Sequence, residues 1–201
     1  MNWKVKDHYY NQAKKDNYFA RSIYKLQEID SKYKVLKKGD YVVDLGYFPG
    51  SWIQYTASKV GEEGKVVGID IQQVDGRLSY LKNVEVFHKD INEIQNLEEI
   101  GVTEPFNVVL SDMAPSTTGV KSVDQDRSLQ LIEMIFYHLP KMLRVDGNLV
   151  FKIFDSHQAQ MFIKTLRKHF AEVKNFKPKS TRSVSKEFFV ICKGYKGTNE
   201  Y

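Results

Sequence analysis

Four polar side chains occupy positions where charge is either costly or well placed for chemistry. Lys152 lies inside the apolar run Val-Phe-Lys-Ile-Phe, and Asp112 closes the run Phe106 to Asp112. Glu187 directly precedes Phe188 and Phe189, and Lys25 stands on an N-terminal segment with helical apolar spacing. A lysine within a buried strand is expensive unless it is paired or functional, and its pKa is easily tuned. Two lysines and two carboxylates that converged in a cleft could handle one proton at a reacting hydroxyl. The same four could instead form a structural ion-pair cluster. Lys25 by itself also fits a solvated helix face.

A second constellation surrounds the stretch VVDLGYFPGSW, Val42 to Trp52. An apolar run ends on Asp44 and passes into a turn carrying Gly46, Pro49 and Gly50, then into a segment that can be helical. That order is strand, glycine-bearing loop, helix, and ligands of α/β proteins sit at such strand ends. The loop has no Gly-Lys-Ser/Thr, so it is not a triphosphate loop. It also lacks the third glycine of the dinucleotide fingerprint, which disfavours a nicotinamide dehydrogenase. Asp44 at the loop mouth suits a positively charged ligand group. KVVGID ends on Asp70, placed to accept ribose hydroxyls, and VEVFH ends near Asp90, placed to take an adenine amino group. A cationic amino-acid end, a ribose and an adenine together describe S-adenosylmethionine. Each aspartate could also simply cap a turn or helix.

The elements that must position these residues follow from hydrophobic period. Strands are expected over Tyr41–Leu45, Lys65–Asp70, 84–87, 106–112 and from Gly147 through NLVFKIF, with a short strand over 172–176 and a last one over EFFVICK. Helices are expected over 16–30, where Phe19, Ile23, Leu26 and Ile29 form a stripe, and over 51–60, INEIQNLEEI, 126–143 and 156–169. Alternating strands and helices imply a parallel sheet, and the last two strands, with no helix between them, should pair antiparallel. The expected class is α/β: a Rossmann-like, mostly parallel seven-stranded sheet with an antiparallel last strand and helices on both faces. With 201 residues and no linker or repeat, one domain is expected over 1–201, with 1–40 as a basic helical extension carrying Lys25.

Composition narrows the class of partner. One cysteine, Cys192, excludes a disulfide framework and a cysteine-based zinc site, and the five histidines show no ligand spacing, so no metal is expected. No apolar run is long enough to span a membrane and no signal-peptide core stands at the N-terminus, which points to a soluble compartment, cytoplasmic or organellar. Residues 1–40 carry ten Lys/Arg against five Asp/Glu, and residues 173–201 carry seven against two. The middle carries 13 basic and 18 acidic residues. An acidic body between basic ends suggests a polyanionic partner, although lysine-rich termini also serve solubility. Lys14, Lys15, Arg21, Lys179, Arg182 and Lys186 are candidates for its phosphates should that partner be a nucleic acid, and Tyr9, Tyr10 and Tyr18 for stacking on bases or for packing.

Lys25, Asp112, Lys152 and Glu187, together with DLGYFPGSW, SDMAP and TRSVSKEFFVICKGY, resemble the FtsJ/RrmJ family of RNA ribose 2′-O-methyltransferases. The resemblance runs from the FARSIYKLQEID segment to Cys192. It implies Lys152 as catalytic lysine with Lys25, Asp112 and Glu187 around it. It also implies cofactor contacts at Asp44, Gly46, Pro49, Gly50, Trp52, Asp70, Ile71, Asp90, Ile91 and Asp112. Ser-Asp-Met-Ala-Pro is similar to the ribosomal RNA branch, so the implied substrate is a uridine of large-subunit RNA, free or in the ribosomal particle, and the protein a monomer. Tyr47 and Phe48 stand where the family usually has small residues, a departure at the methionine end of the pocket. In this reading Lys152, beside the cation Lys25, is pushed toward its neutral form and either accepts the hydroxyl proton or steers the hydroxyl lone pair, while Asp112 and Glu187, which favour the ammonium, orient the lysines. Competing readings are a transfer-RNA ribose methyltransferase, a methyltransferase for protein or small molecules, and a non-catalytic RNA-binding assembly factor.

Overall fold

Strand residues of period two are buried on both sides, so each strand must lie between two layers. Val42, Val66, Val108, Leu110 and Val150 pack on one face of the sheet. Their neighbours Val43, Val67, Val109, Leu149 and Phe151 pack on the other. The computed structural model describes residues 8–73, 76–182 and 184–197. Among them, strands β1 (Tyr41–Leu45), β2 (Lys65–Asp70), β3 (Val84–His88), β4 (Phe106–Ser111), β5 (Leu143–Phe154), β6 (Phe170–Phe176) and β7 (Glu187–Tyr195) form a seven-stranded sheet. The order is β3-β2-β1-β4-β5-β7-β6. The first five strands pair parallel, and β7 pairs antiparallel with both β5 and β6.

Helices cover both faces. Helix α1 spans His8–Lys15, and α2 (Ile23–Tyr33) and α3 (Ser51–Val60) set Leu26, Ile29, Trp52 and Ile53 against the first face. Helices α4 (Lys121–Met142) and α5 (His157–His169) set Ile132, Ile135, Ala159 and Ile163 against the second. The chain leaves β1 toward β2 on one side and reaches β4 on the other. The loops after β1 and β4 therefore diverge and leave a crevice at the carboxyl ends of the strands.

Four elements differ from the sequence expectation. The stretch 16–22 is not helical; Asn17 is left-handed (φ 58°), and the Gln54 side chain accepts from Phe19 N–H (3.0 Å) and donates to the Asn17 carbonyl (3.1 Å). INEIQNLEEI is not one helix but two 3₁₀ turns, Ile91–Glu93 and Leu97–Ile100. Asp90 accepts from Asn92 N–H, and Asn96 and Glu99 form a capping box, so side chains take the backbone groups a continuous helix would use. Helix α4 begins at Lys121 rather than 126, because the Asp124 carboxylate holds Thr118 N–H (2.7 Å) and Gly119 N–H (3.2 Å) ahead of its first turn. Strand β5 begins at Leu143 rather than Gly147, through a register shift against β4.

Gly68 on β2 shows how tightly the first face is filled. A Cβ there would lie 2.5 Å from Ile53 Cδ1 and 2.8 Å from Tyr47 Cδ1. Gly68→Ala is expected to cost about 1–3 kcal/mol through overpacking, read as a lower urea midpoint at unchanged m-value.

Candidate active site

Strand register brings the four polar residues together. Ser111 of β4 pairs with Phe151 of β5, so Asp112 and Lys152 are the next residues along adjacent parallel strands. Phe154 of β5 pairs with Glu187 of β7, and Lys152 with Phe189, which sets Glu187 at the same end of the sheet. Lys152 Nζ stands 2.8 Å from Asp112 Oδ1 and donates to the Asp112 carbonyl at 2.6 Å. Lys25 arrives from α2. Its Nζ donates to Glu187 Oε1 at 2.5 Å and stands 4.0 Å from Asp112 Oδ1. The ammonium also lies 5.6 Å from the Phe189 ring centre, a cation–π distance.

The two lysines are largely removed from water, Lys152 with 7% and Lys25 with 12% of its side chain exposed. Lys25 therefore does not occupy a solvated helix face. Its helix is docked: Trp52 Nε1 donates to the Ser22 carbonyl (2.9 Å), and Ser22 and Ser51 hydroxyls meet at 2.8 Å. Burial raises the Glu187 carboxyl pKa, but the charge and hydrogen bond of Lys25, with Lys152 and Ser185, outweigh burial and bring it below the ordinary value. Glu187 is thus an anion that holds Lys25 in place.

A cavity of about 340 Å³ opens beside this cluster. Asp70, Ile71, Asp90, Ile91, Asp112 and Gly46 all line it. A smaller space of about 40 Å³ adjoins the loop, lined by Asp44, Gly46, Pro49, Trp52 and Asp112 among others. Gly50 lines neither. It begins α3 at φ 106°, and a Cβ there would meet Leu78 at 2.8 Å, so its requirement is conformational and steric. Gly46 has φ 73° and lies so near Met113 that a Cβ would come within 2.2 Å of Met113 Cγ. The two bulky loop residues leave the pocket open. Tyr47 is buried in the first-face core, and Phe48 sits at the cavity wall, with the Arg77 guanidinium 5.5 Å from its ring centre.

The donor set fits S-adenosylmethionine. Asp44 is fully buried, and its Oδ2 has no hydrogen-bond partner. Burial, with Asp112 and Asp70 nearby, pushes its pKa well up. An unpartnered buried carboxylate beside a small cavity is a place for a cationic amino group. Asp70 holds the loop by accepting from Phe48 N–H (2.9 Å) and Gln72 N–H (2.8 Å), which leaves further acceptor capacity for ribose hydroxyls. Asp90 Oδ1 accepts from Asn92 N–H and Asn92 Nδ2, and Asn92 Oδ1 in turn meets His138 Nε2 at 3.1 Å. Sequence reasoning missed Asn92 and His138. Among the described residues no group of histidine, cysteine, aspartate and glutamate could hold a metal ion, and no helix is long and apolar enough to cross a membrane.

The two basic ends of the chain meet beside the cluster. Glu28 of α2 accepts from Lys179 N–H (2.7 Å) and Ser180 N–H (2.9 Å), and Arg21 donates to the Ser180 carbonyl. Arg21 has a lowered pKa, through burial first and the charge of Arg182 second. Lys179, Arg182 and Lys186 are exposed on this loop, and Lys14 and Lys15 are exposed on α1. Arg21 is half-buried and fastens the loop, so only part of its surface is open to a phosphate. Tyr9 and Tyr18 pack on Tyr24, with ring centres at 5.4 and 6.4 Å, while Tyr10 is exposed. Glu28 was not among the residues singled out by sequence, since a helix-surface glutamate carries no signal of its own.

Asp44 leads to a prediction in which stability and ligand affinity move in opposite directions. The folded state holds its proton more tightly than the unfolded chain does. Ionising it therefore costs stability as pH rises above the ordinary aspartate pKa of about 3.9. Asp44→Asn removes that cost and is expected to raise the ligand-free Tm at neutral pH by about 2–4 °C. It should also weaken S-adenosylmethionine binding about tenfold or more, measured by calorimetry. Lower Tm with unchanged affinity would contradict the assignment.

Comparison with known proteins agrees with this geometry. The family model FtsJ-like methyltransferase matches residues 18–195. A Bdellovibrio bacteriovorus protein named ribosomal RNA large subunit methyltransferase E is 41% identical over 191 residues, covering 95% of this chain and 97% of the relative. A Nitratidesulfovibrio vulgaris protein of the same name is 43% identical over 196 residues, covering 96% and 95%. Among solved structures, a Plasmodium falciparum chain described as a ribosomal RNA methyltransferase superposes with TM-score 0.78 at 28% identity, covering 90% of this chain and all of that one. Aeropyrum pernix fibrillarin, solved with S-adenosyl-L-methionine, shares the fold with TM-score 0.61 at 15% identity, covering 85% and 76%. With the family model spanning the sheet, the acid-lined cavity and all four clustered residues, the chain belongs to the FtsJ-like methyltransferase family.

Proposed function

We propose that this protein transfers the methyl group of S-adenosylmethionine to a ribose 2′-hydroxyl in large-subunit ribosomal RNA, at a uridine. The observation that carries this reading is Asp112, which lines the cofactor cavity and contacts the Lys152 amine at 2.8 Å. A reacting hydroxyl beside Lys152 is therefore also beside the cavity. The names of the relatives from Bdellovibrio and Nitratidesulfovibrio support the RNA class. We read the chain as a single methyltransferase domain. It acts as a monomer, since all four clustered residues come from one chain, in the soluble compartment that holds ribosomal particles.

The chemistry needs alignment and one proton transfer. Bound in the cavity, S-adenosylmethionine supplies an electrophilic methyl group on a sulfonium. Asp44 binds the cationic amino end, and Asp70 and Asp90 hold the nucleoside end. This fixes the angle at which a hydroxyl oxygen approaches and can supply several kcal/mol of the barrier. Lys152, fixed by two contacts to Asp112, presents its amine to the 2′-hydroxyl. That amine would accept the hydroxyl proton as the methyl carbon exchanges its bond to sulfur for one to the hydroxyl oxygen. Lys25, paired with Glu187 and 4.0 Å from Asp112, helps hold the Asp112 carboxylate that positions Lys152. The lysines on the meeting basic ends bind phosphates on either side of the target.

Removing the Lys152 amine is expected to lower the methyl-transfer rate about 10²–10⁴-fold while cofactor affinity stays within about threefold of wild type. The assay is transfer of labelled methyl from S-adenosylmethionine to large ribosomal subunits from cells lacking the protein, comparing wild type with Lys152→Ala. A Lys152→Ala protein that keeps most of its rate would contradict the role given to Lys152.

A further inference from the structure

A groove unrelated to the cofactor cavity begins at Glu187. Its near part, about 430 Å³, is lined by Lys121, Lys177, Lys186, Glu187 and Phe188 among others. A further part of about 210 Å³ shares Lys177, Phe188 and Asp155 with it and adds Gln160, Asn175 and Phe176. We propose that this groove is a subsite for the RNA nucleotide next to the methylated one. Lys121, Lys177 and Lys186 take its phosphate, Val184 and Phe176 flank its base, and the Asn175 and Gln160 amides face its edge. The inference rests on the function proposed above and extends it to Lys121, Lys177, Asn175 and Gln160, which neither the sequence motifs nor the cofactor site account for.

Three observations favour a nucleotide. The first is charge. Lys121, Lys177 and Lys186 are all exposed on the groove, against one exposed carboxylate, Asp155, because Glu187 is neutralised by Lys25. Such a surface selects an anion. The second is chemical variety. Val184 stands on the rim with 86% exposure and the half-buried Phe176 adds apolar wall, while Asn175 and Gln160 offer paired donors and acceptors. Apolar wall plus amide edge plus lysine is a set that can hold an unstacked base on a single strand. The third is construction. Lys177 Nζ donates to the Ser185 carbonyl (2.6 Å), Asp155 N–H to the Lys186 carbonyl (3.1 Å) and Gln160 Nε2 to Asp155 Oδ1 (2.9 Å). The walls are tied together without a ligand. Continuity with the reactive end follows from Glu187, which belongs to both the groove and the lysine cluster. A strand whose ribose lies at Lys152 would thus pass its neighbouring residue into the groove.

The test uses full-length protein carrying Lys121→Glu and Lys177→Glu, with undermethylated large ribosomal subunits as substrate. The KM for particles is expected to rise about tenfold or more near 0.15 M salt, with a shallower salt dependence, while the Kd for S-adenosylmethionine stays within about twofold. Asn175→Ala, which leaves the lysines in place, is expected to raise KM about threefold or more at unchanged salt slope, because a base-edge contact is lost rather than a charge. A particle KM within twofold of wild type in the double variant overturns the proposal. Ultraviolet cross-linking followed by nuclease digestion identifies the occupant. A nucleotide adduct on peptides covering 175–188 supports it, and a cross-link from those peptides to an acidic ribosomal protein overturns it. Failure of the functional reading is a separate result: wild type would then transfer no more methyl to particle RNA than Lys152→Ala does.

Discussion

A single carboxylate at the end of β4 ties together parts of the chain that are far apart in sequence. Asp112 receives Lys152 through both its side chain and its carbonyl, and Lys25 lies 4.0 Å away, held by Glu187. Charges this far from water are costly singly and tolerable only as a matched set. The set exists only if β4, β5 and β7 keep their register and α2 docks against α3. That is why Ser111 pairs with Phe151, Phe154 pairs with Glu187, and Trp52 reaches back to the Ser22 carbonyl. Losing one member leaves its partners buried without compensation, so geometry and charge hold each other in place.

Two charge fields of opposite sign meet at this point. On the cofactor side, Asp44, Asp70 and Asp112 lie near enough together that the latter two help raise the Asp44 pKa. That field favours a cationic ligand and repels phosphate. On the outer side, the segment carrying Arg21 and the loop carrying Lys179 and Arg182 are brought together by Glu28 and by the Ser180 carbonyl. That field favours a polyanion. The lysine–carboxylate cluster stands between them, so a sulfonium donor and an RNA sugar can approach from different sides without exchanging places. The same arrangement accounts for the charge segregation along the chain, with acidic residues in the middle and basic residues at both ends.

The strands were legible in sequence because apolar runs of five or six residues ending on an acid have few other solutions. The strand-end acids and Lys152 were legible for the same reason: a charge in or beside an apolar run is conspicuous. Lys25 was legible only through the family resemblance, because a lysine on an amphipathic helix has the same local appearance whether the helix faces water or docks on a strand end. The stretch 91–100 has helical composition, but Asp90, Asn96 and Glu99 satisfy the backbone locally, so it forms two short turns. The inward turn of Tyr47 depends on the space left by Gly68 on a neighbouring strand. The clamp by Glu28 and the groove around Lys177 likewise depend on tertiary contact between segments about 150 residues apart or between β6 and the loop before β7.

The most direct measurement is a map of ribose 2′-O-methylation over all cellular RNA, with and without this protein. One modified uridine in large-subunit ribosomal RNA should disappear without it and return when the wild-type chain is restored, with other sites unchanged. An identical map in both strains, or a lost methyl that falls only in transfer RNA, would contradict the assignment.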